Sequence, residues 1–118
     1  MVVYVVNSNT SENSMAGMGE LIIGTDESKL KRMARMMKTV GHSQRLKIID
    51  LLQERGTLTV KEIYEKVGIS QSNASQHLKA LEDIEVLTSK RVGKNICYSI
   101  QNHEVLQLLR CMNNCIDC

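Results

Sequence analysis

At 118 residues with 42% apolar content, the chain fits one small domain with a limited core, and the absence of Phe and Trp leaves Leu, Ile, Val and Met to build it, which suits helix-on-helix packing. The net charge of +2 is unevenly held: residues 27–96 carry 14 Lys or Arg against eight acids, a balance of +6, while residues 1–26 carry −3 and residues 97–118 carry −1. A cationic middle segment points to a polyanionic partner, and no apolar stretch is long enough to span a bilayer, which argues against a membrane protein.

Residues 1–25 open with Val2-Val3-Tyr4-Val5-Val6, which has no basic region ahead of it as a secretory signal would, so a cytoplasmic location is expected. The polar Asn7–Ser14 run then predicts a flexible N-terminal arm. Asp26 can cap a helix from Glu27, in which Leu30, Met33, Ala34 and Met37 recur at i, i+3, i+4 and i+7 with Lys29, Lys31, Arg32, Arg35 and Lys38 on the other side. Its Met-rich face fits a contact with a second subunit, since Met adapts to such surfaces; folding back on its own subunit is the alternative. Gly41-His42 interrupts the chain, and His42, with no matching ligand nearby in sequence, is expected as a surface or capping histidine. Ser43 is the expected cap of the next helix, with Leu46, Ile49 and Leu52 as its inward stripe and Arg55-Gly56 as its end.

The stretch Thr57–Leu87 predicts two short helices joined by a tight turn. Thr59 and Glu62 form a capping box, Ile63 and Val67 share a face, and Gly68 can leave the helix with positive φ. Ser70 caps a second helix, Ser70–Asp83, that buries Ala74, Leu78 and Leu81. Its other face is Gln71, Ser72, Asn73, Ser75, Gln76, His77 and Lys79. Solvated helix faces favour Glu and Lys, whereas amides and hydroxyls suit base edges, where Gln and Asn pair bidentately with adenine. This is a helix-turn-helix with Ser70–Asp83 as recognition helix, set against a plain helical hairpin with a polar second helix. Val86-Leu87 then starts an extended run that turns through Gly93 and returns as Ile96–Ile100. Lys90, Arg91 and Lys94 around its tip make it a wing, placed to meet phosphates or the minor groove.

Gly68–Leu81, with its SQSxxSQHLxxL pattern, resembles the recognition segment of the ArsR/SmtB family of winged-helix repressors; Ser43–Ile49 resembles the preceding helix and Cys97–Ile100 the second wing strand. The resemblance spans roughly residues 27–118. It implies a homodimer held by the first and last helices, bound to an inverted-repeat operator in double-stranded DNA. The expected fold is therefore mainly α with a small β-hairpin wing (α+β), a dimeric winged helix-turn-helix, with an arm at 1–25 and the domain at 26–118.

Asn102 can cap a last helix whose apolar face is Val105, Leu106, Leu108, Leu109, Met112 and Ile116. Cys111, Cys115 and Cys118 follow at i, i+4 and i+7, so a continuous helix sets all three on one side, the outer pair about 10 Å apart along the axis. In a reducing compartment cysteines serve as thiols or metal ligands rather than structural disulfides. Soft thiolates favour thiophilic ions such as Zn, Cd, Cu(I) or arsenite. The family resemblance implies a metal site between the paired last helices, with Asn102 and Glu104 at its first ligand pair and Cys115 and Cys118 at its second. Asn102 is a poor ligand there, so Cys111, Cys115 and Cys118 are the metal candidates, with Glu104 a further one. The family's Cys-x-Cys site is replaced by Leu58-Thr59-Val60-Lys61-Glu62. Two alternatives stay open: a redox or sulfur-species sensor using Cys115 and Cys118, or inert cysteines and a repressor with no thiol effector. Cys97, mid-strand, is expected in the core.

Enzyme chemistry is not expected. A Cys-x-x-Cys oxidoreductase motif belongs at a helix N-terminus, whereas Cys115-x-x-Cys118 closes a helix, where the dipole disfavours thiolate. No Ser-His-acid set, carboxylate pair or phosphate loop is present. A winged helix that binds protein instead of DNA is the remaining rival, and it predicts weak DNA affinity with little salt dependence.

Overall fold

Five helices and one small sheet follow in the order α1 (Glu27–Val40), α2 (Ser43–Arg55), β1 (Leu58–Thr59), α3 (Val60–Val67), α4 (Gln71–Asp83), β2 (Leu87–Val92), β3 (Asn95–Ile100) and α5 (Glu104–Asp117). This computed structural model describes Gly24 and residues 26–117; the rest of the expected arm at 1–25, and Cys118, lie outside the described residues. The chain divides into two units, residues 1–34 and residues 35–118, and the division falls within α1.

In the first unit, Asp26 caps α1 as its sequence implies, Oδ1 accepting from the Lys29 backbone N–H at 3.2 Å. Leu30 and Met33 are exposed.

The second unit holds a core of Ile48, Ile49 and Leu52 from α2, Ile63 from α3, Leu78 and Leu81 from α4, Val86 and Leu87 entering β2, Tyr98 from β3 and Val105 from α5. Ile48, Ile63, Leu78, Leu81, Val86 and Leu87 have no exposed surface. Burying side chains of this size is worth about 1.5–3 kcal/mol each, which is what fixes α4 against α2 and α3.

Two expectations for α2 need correcting. Its inward stripe is Ile48, Ile49 and Leu52, while Leu46 is exposed and lines a groove between α2 and α5. Its cap is His42, whose Nδ1 accepts from the Gln44 backbone N–H at 3.2 Å; Ser43 is the first helical residue. The imidazole nitrogen does there what a hydroxyl oxygen would have done.

The sheet has the order β1-β3-β2, all antiparallel. β1 is only two residues and pairs Leu58 with Tyr98 and Thr59 with Cys97. The β2–β3 register runs from Leu87 opposite Ile100 to Val92 opposite Asn95, leaving Gly93-Lys94 as a two-residue loop. Gly93 has φ +63° and Lys94 is not in the positive region, which fits a type II′ turn with Gly at its first position.

Candidate nucleic-acid interface

The two helices of the turn are cut where their sequence provides caps. Thr59 Oγ1 accepts from the Glu62 N–H at 3.1 Å and Glu62 Oε1 accepts from the Thr59 N–H at 2.9 Å, a complete capping box. Those bonds, first the backbone one, hold the Glu62 carboxyl below the ordinary carboxylate pKa. Gly68 takes the left-handed conformation (φ 80°, ψ 39°), and both its N–H and that of Ile69 reach the Tyr64 carbonyl, so the chain reverses within two residues. Ser70 Oγ then accepts from the Asn73 N–H at 3.1 Å and α4 begins at Gln71.

α4 is divided cleanly into two faces. Ala74, Leu78 and Leu81 are fully buried. Gln71, Ser72, Asn73, Ser75, Gln76 and Lys79 are exposed. Lys79 Nζ lies 3.3 Å from Asp83 Oδ1 one turn on, an exposed pair of little energetic weight.

His77 differs from its neighbours. Its ring is half-buried, Nδ1 accepts from Arg45 Nε at 3.0 Å, and Nε2 lies 3.0 Å from Gln44 Oε1. A guanidinium only donates, so Nδ1 is unprotonated and Nε2 carries the proton given to Gln44. The His42 ring stands beside it, centroids 4.7 Å apart and tilted by 53°. Arg45 Nη1 also donates to the Thr39 carbonyl at 2.9 Å. Burial, then Arg45 and His42, push the His77 pKa below its usual value. Grouped by sequence with the base readers, His77 is thus engaged within the protein. Its partners lie 32 and 33 residues earlier, and no local pattern announces them.

The wing is tied to α4 by Glu82, whose carboxylate accepts from Ser89 Oγ at 2.7 Å and Tyr98 Oη at 3.5 Å. Burial chiefly, and the Glu82 charge next, raise the Tyr98 pKa. Strand alternation gives Ser89, Arg91, Ile96 and Tyr98 one face of the hairpin, and Lys90, Val92, Asn95 and Cys97 the other. Lys90, Arg91 and Lys94 are all exposed, as are the apolar Val92 and Ile96 near the tip. Cys97 is half-buried on the central strand, less deeply placed than expected.

Asn102 Oδ1 accepts from the Glu104 N–H at 3.1 Å, so its amide oxygen is used as a cap at the start of α5. Cys111 and Cys115 are free, exposed and one turn apart on α5. Glu104 lies seven residues before Cys111, about 10 Å along the axis, and cannot join those thiols around one ion within a single chain. Among the described residues no three His, Cys, Asp or Glu side chains gather around a common point. On the same helix Leu108, Met112 and Ile116 are exposed at 53%, 52% and 77%. Leu106, Leu109, Met112 and Ile116 wall a groove of about 650 Å³ opposite Leu46 and Ile49 of α2.

A capped turn between two short helices, followed by a hairpin tied back to the second of them, defines a winged helix-turn-helix protein. Residues 42–89 match the family model described as bacterial regulatory protein, arsR family. The transcriptional repressor PagR of Bacillus anthracis is 36% identical over 80 residues, 68% of this chain and 80% of PagR, and its crystal structure superposes with a TM-score of 0.64 over 72% of this chain and 97% of that one. The arsenical resistance operon repressor of Staphylococcus aureus is 34% identical over 76 residues, covering 64% of this chain and 71% of that protein. A homodimeric winged helix-turn-helix DNA-binding domain from Mycobacterium bovis, solved by NMR, is 28% identical with a TM-score of 0.71, covering 87% of this chain and 91% of that one. The chain belongs to the ArsR family. Its relatives are transcriptional regulators and not enzymes.

Proposed function

We propose that the protein is a homodimeric transcriptional repressor that binds an inverted-repeat operator in double-stranded DNA. The observation that carries this is the two-sided α4: an exposed face of Gln71, Ser72, Asn73, Ser75 and Gln76 backed by a stripe with no exposed surface. Those five side chains read base edges or adjacent phosphates, while Lys79, Lys90, Arg91 and Lys94 hold the backbone. α1 and α5 each leave an apolar face uncovered, and both are assigned to the contact between copies within a domain spanning residues 26–118. A two-fold dimer presents two recognition helices and therefore reads a symmetric site. PagR and the homodimeric Mycobacterium bovis domain support the assignment by likeness.

The effector is assigned to the thiols of α5. Cys111 and Cys115 offer two exposed sulfurs one turn apart, and Cys118 continues their spacing. Such a set suits a thiophilic metal or metalloid ion, in keeping with the arsenical repressor among the relatives. With Glu104 out of reach and Asn102 spent on its cap, a closed site needs thiols from both subunits. Such an ion would supply strong sulfur bonds across the two-fold; Cys111 and Cys115 would hold it. The second reading is reversible oxidation at Cys115, an exposed free thiol, together with Cys118 three residues on in the sequence. A cytoplasmic location goes with either.

Selection of duplexes from a random pool by the reduced full-length protein tests the whole. Enrichment of a two-fold symmetric sequence bound by a dimer is the expected result. Recovery of no preferred sequence, or binding by a single subunit, would refute it.

A further inference from the structure

The base-reading face of α4 is useful only if the helix is held at a fixed angle to the rest of the domain. Its apolar stripe sets depth, but Ala74, Leu78 and Leu81 permit small rotations that hydrogen bonds do not. One polar bridge crosses from α4 to the amino end of α2, and it runs through His77. Arg45 Nε donates to Nδ1 at 3.0 Å and Nε2 donates to Gln44 Oε1 at 3.0 Å, so both ring nitrogens are committed inside the protein. Arg45 is itself fixed by the Thr39 carbonyl at 2.9 Å. We propose that His77 is a positioning residue that locks the recognition helix to α2 as a neutral imidazole, and that it contacts no base.

The claim rests on the DNA-binding function proposed above and adds a direction. Protonating the ring would put an N–H at Nδ1 against a guanidinium that can only donate, with like charges facing each other. The charged or titratable groups acting on His77 are Arg45 and His42, both from the start of α2; its other partner, the Gln44 amide, is neutral, as is the Thr39 carbonyl that Arg45 also binds. Burial works the same way. The bridge therefore holds at neutral pH and opens as the medium turns acid. A histidine touching DNA phosphate behaves oppositely, since protonation adds a favourable charge and tightens binding.

The test uses the full-length protein and a duplex it has selected from a random pool, with an unrelated duplex of equal length as reference. Affinities are measured at pH 7.5 and pH 5.5 at constant ionic strength. The wild-type preference for the selected duplex should fall at the lower pH, by less than the roughly tenfold that one proton on an unshifted histidine would give over this range, because burial and Arg45 hold the His77 pKa down. His77→Asn sets an amide oxygen near the Nδ1 position and cannot titrate. It should keep the preference at pH 7.5 within about threefold and abolish the pH dependence; the difference from wild type separates His77 from His42 and His103. Ring nitrogen NMR of the free wild-type protein should show the Nε2–H form of His77. Tighter binding on acidification, an unchanged pH dependence in H77N, or an Nδ1–H ring would overturn the proposal. Failure to enrich any duplex would instead bring down the DNA-binding function itself, which the tautomer does not touch.

Discussion

Gln76 and Leu78 stand two positions apart on α4 and do opposite work. Leu78 has no exposed surface and belongs to the core, so Leu78→Ala costs about 2–5 kcal/mol of stability and weakens binding to every duplex alike. Gln76 is exposed and joins no side-chain hydrogen bond or ion pair among the described residues, so Gln76→Ala should leave the melting temperature unchanged. Its expected cost is about 1–3 kcal/mol on the selected duplex and nothing on unrelated DNA. Equal losses on the two, in a titration at one salt concentration, would contradict base readout. The split between these residues is legible in the sequence because helical periodicity sorts neighbours into faces without any knowledge of the partner. His77 shows where that legibility stops. Periodicity puts it at the edge of the polar face, but its role depends on Arg45 and Gln44, and a side-chain bond across more than thirty residues leaves no local trace.

Element boundaries are legible wherever one residue sits at a helix end and bonds the adjacent turn: Thr59, Ser70 and Asn102 at helix starts and Gly68 at a helix end. They are not legible where the usual residue is missing. At the end of α4 the Glu85 N–H reaches the Glu82 carbonyl at 2.9 Å and the Val86 N–H reaches Leu81 at 3.0 Å, a Schellman closure, with Leu81 and Val86 packed away together. The position that normally holds glycine there is Glu85, at φ +64°. Glu85→Gly should therefore raise stability by up to about 1 kcal/mol, a few degrees of melting temperature, with DNA affinity unchanged; a lower melting temperature would show that the glutamate side chain compensates for its backbone. β1 leaves no signature because two residues carry no alternation, and the spacing of Leu46 from Ile49 fits an inward stripe that in fact begins at Ile48. The wing makes its own prediction. Lys94 sits in the loop, free of the sheet, so Lys94→Ala should lower the dependence of log affinity on log salt by about one unit. An unchanged slope would take the wing tip out of the interface.

On the scale of the whole molecule, the exposed face of α5 links the two halves of the proposed function. Leu108 and Met112 are half-exposed on a helix whose other side reaches the core through Val105, a distribution that a solvated helix has no use for. If that face joins two copies, Leu108→Glu with Met112→Glu should give a monomer in sedimentation. Its affinity for the selected duplex should drop by about 100-fold or more, because two linked half-site contacts become one. The thiols lie on the same helix, which is why sensing and dimer geometry can be coupled: a ligand gripping Cys111 and Cys115 across the two-fold changes the spacing of the α4 helices only if it binds one dimer geometry better than the other. Replacing Cys111, Cys115 and Cys118 by Ser should leave dimerisation and the affinity of the reduced protein for DNA intact. It should also remove the loss of DNA binding that Zn, Cd, Cu(I), arsenite or a mild oxidant produces in the wild type. A metal ion and an oxidant are told apart by the reagent that reverses them, chelator in one case and reductant in the other. A triple variant that still releases DNA on exposure would move the effector away from α5 while leaving the recognition helix and its operator untouched.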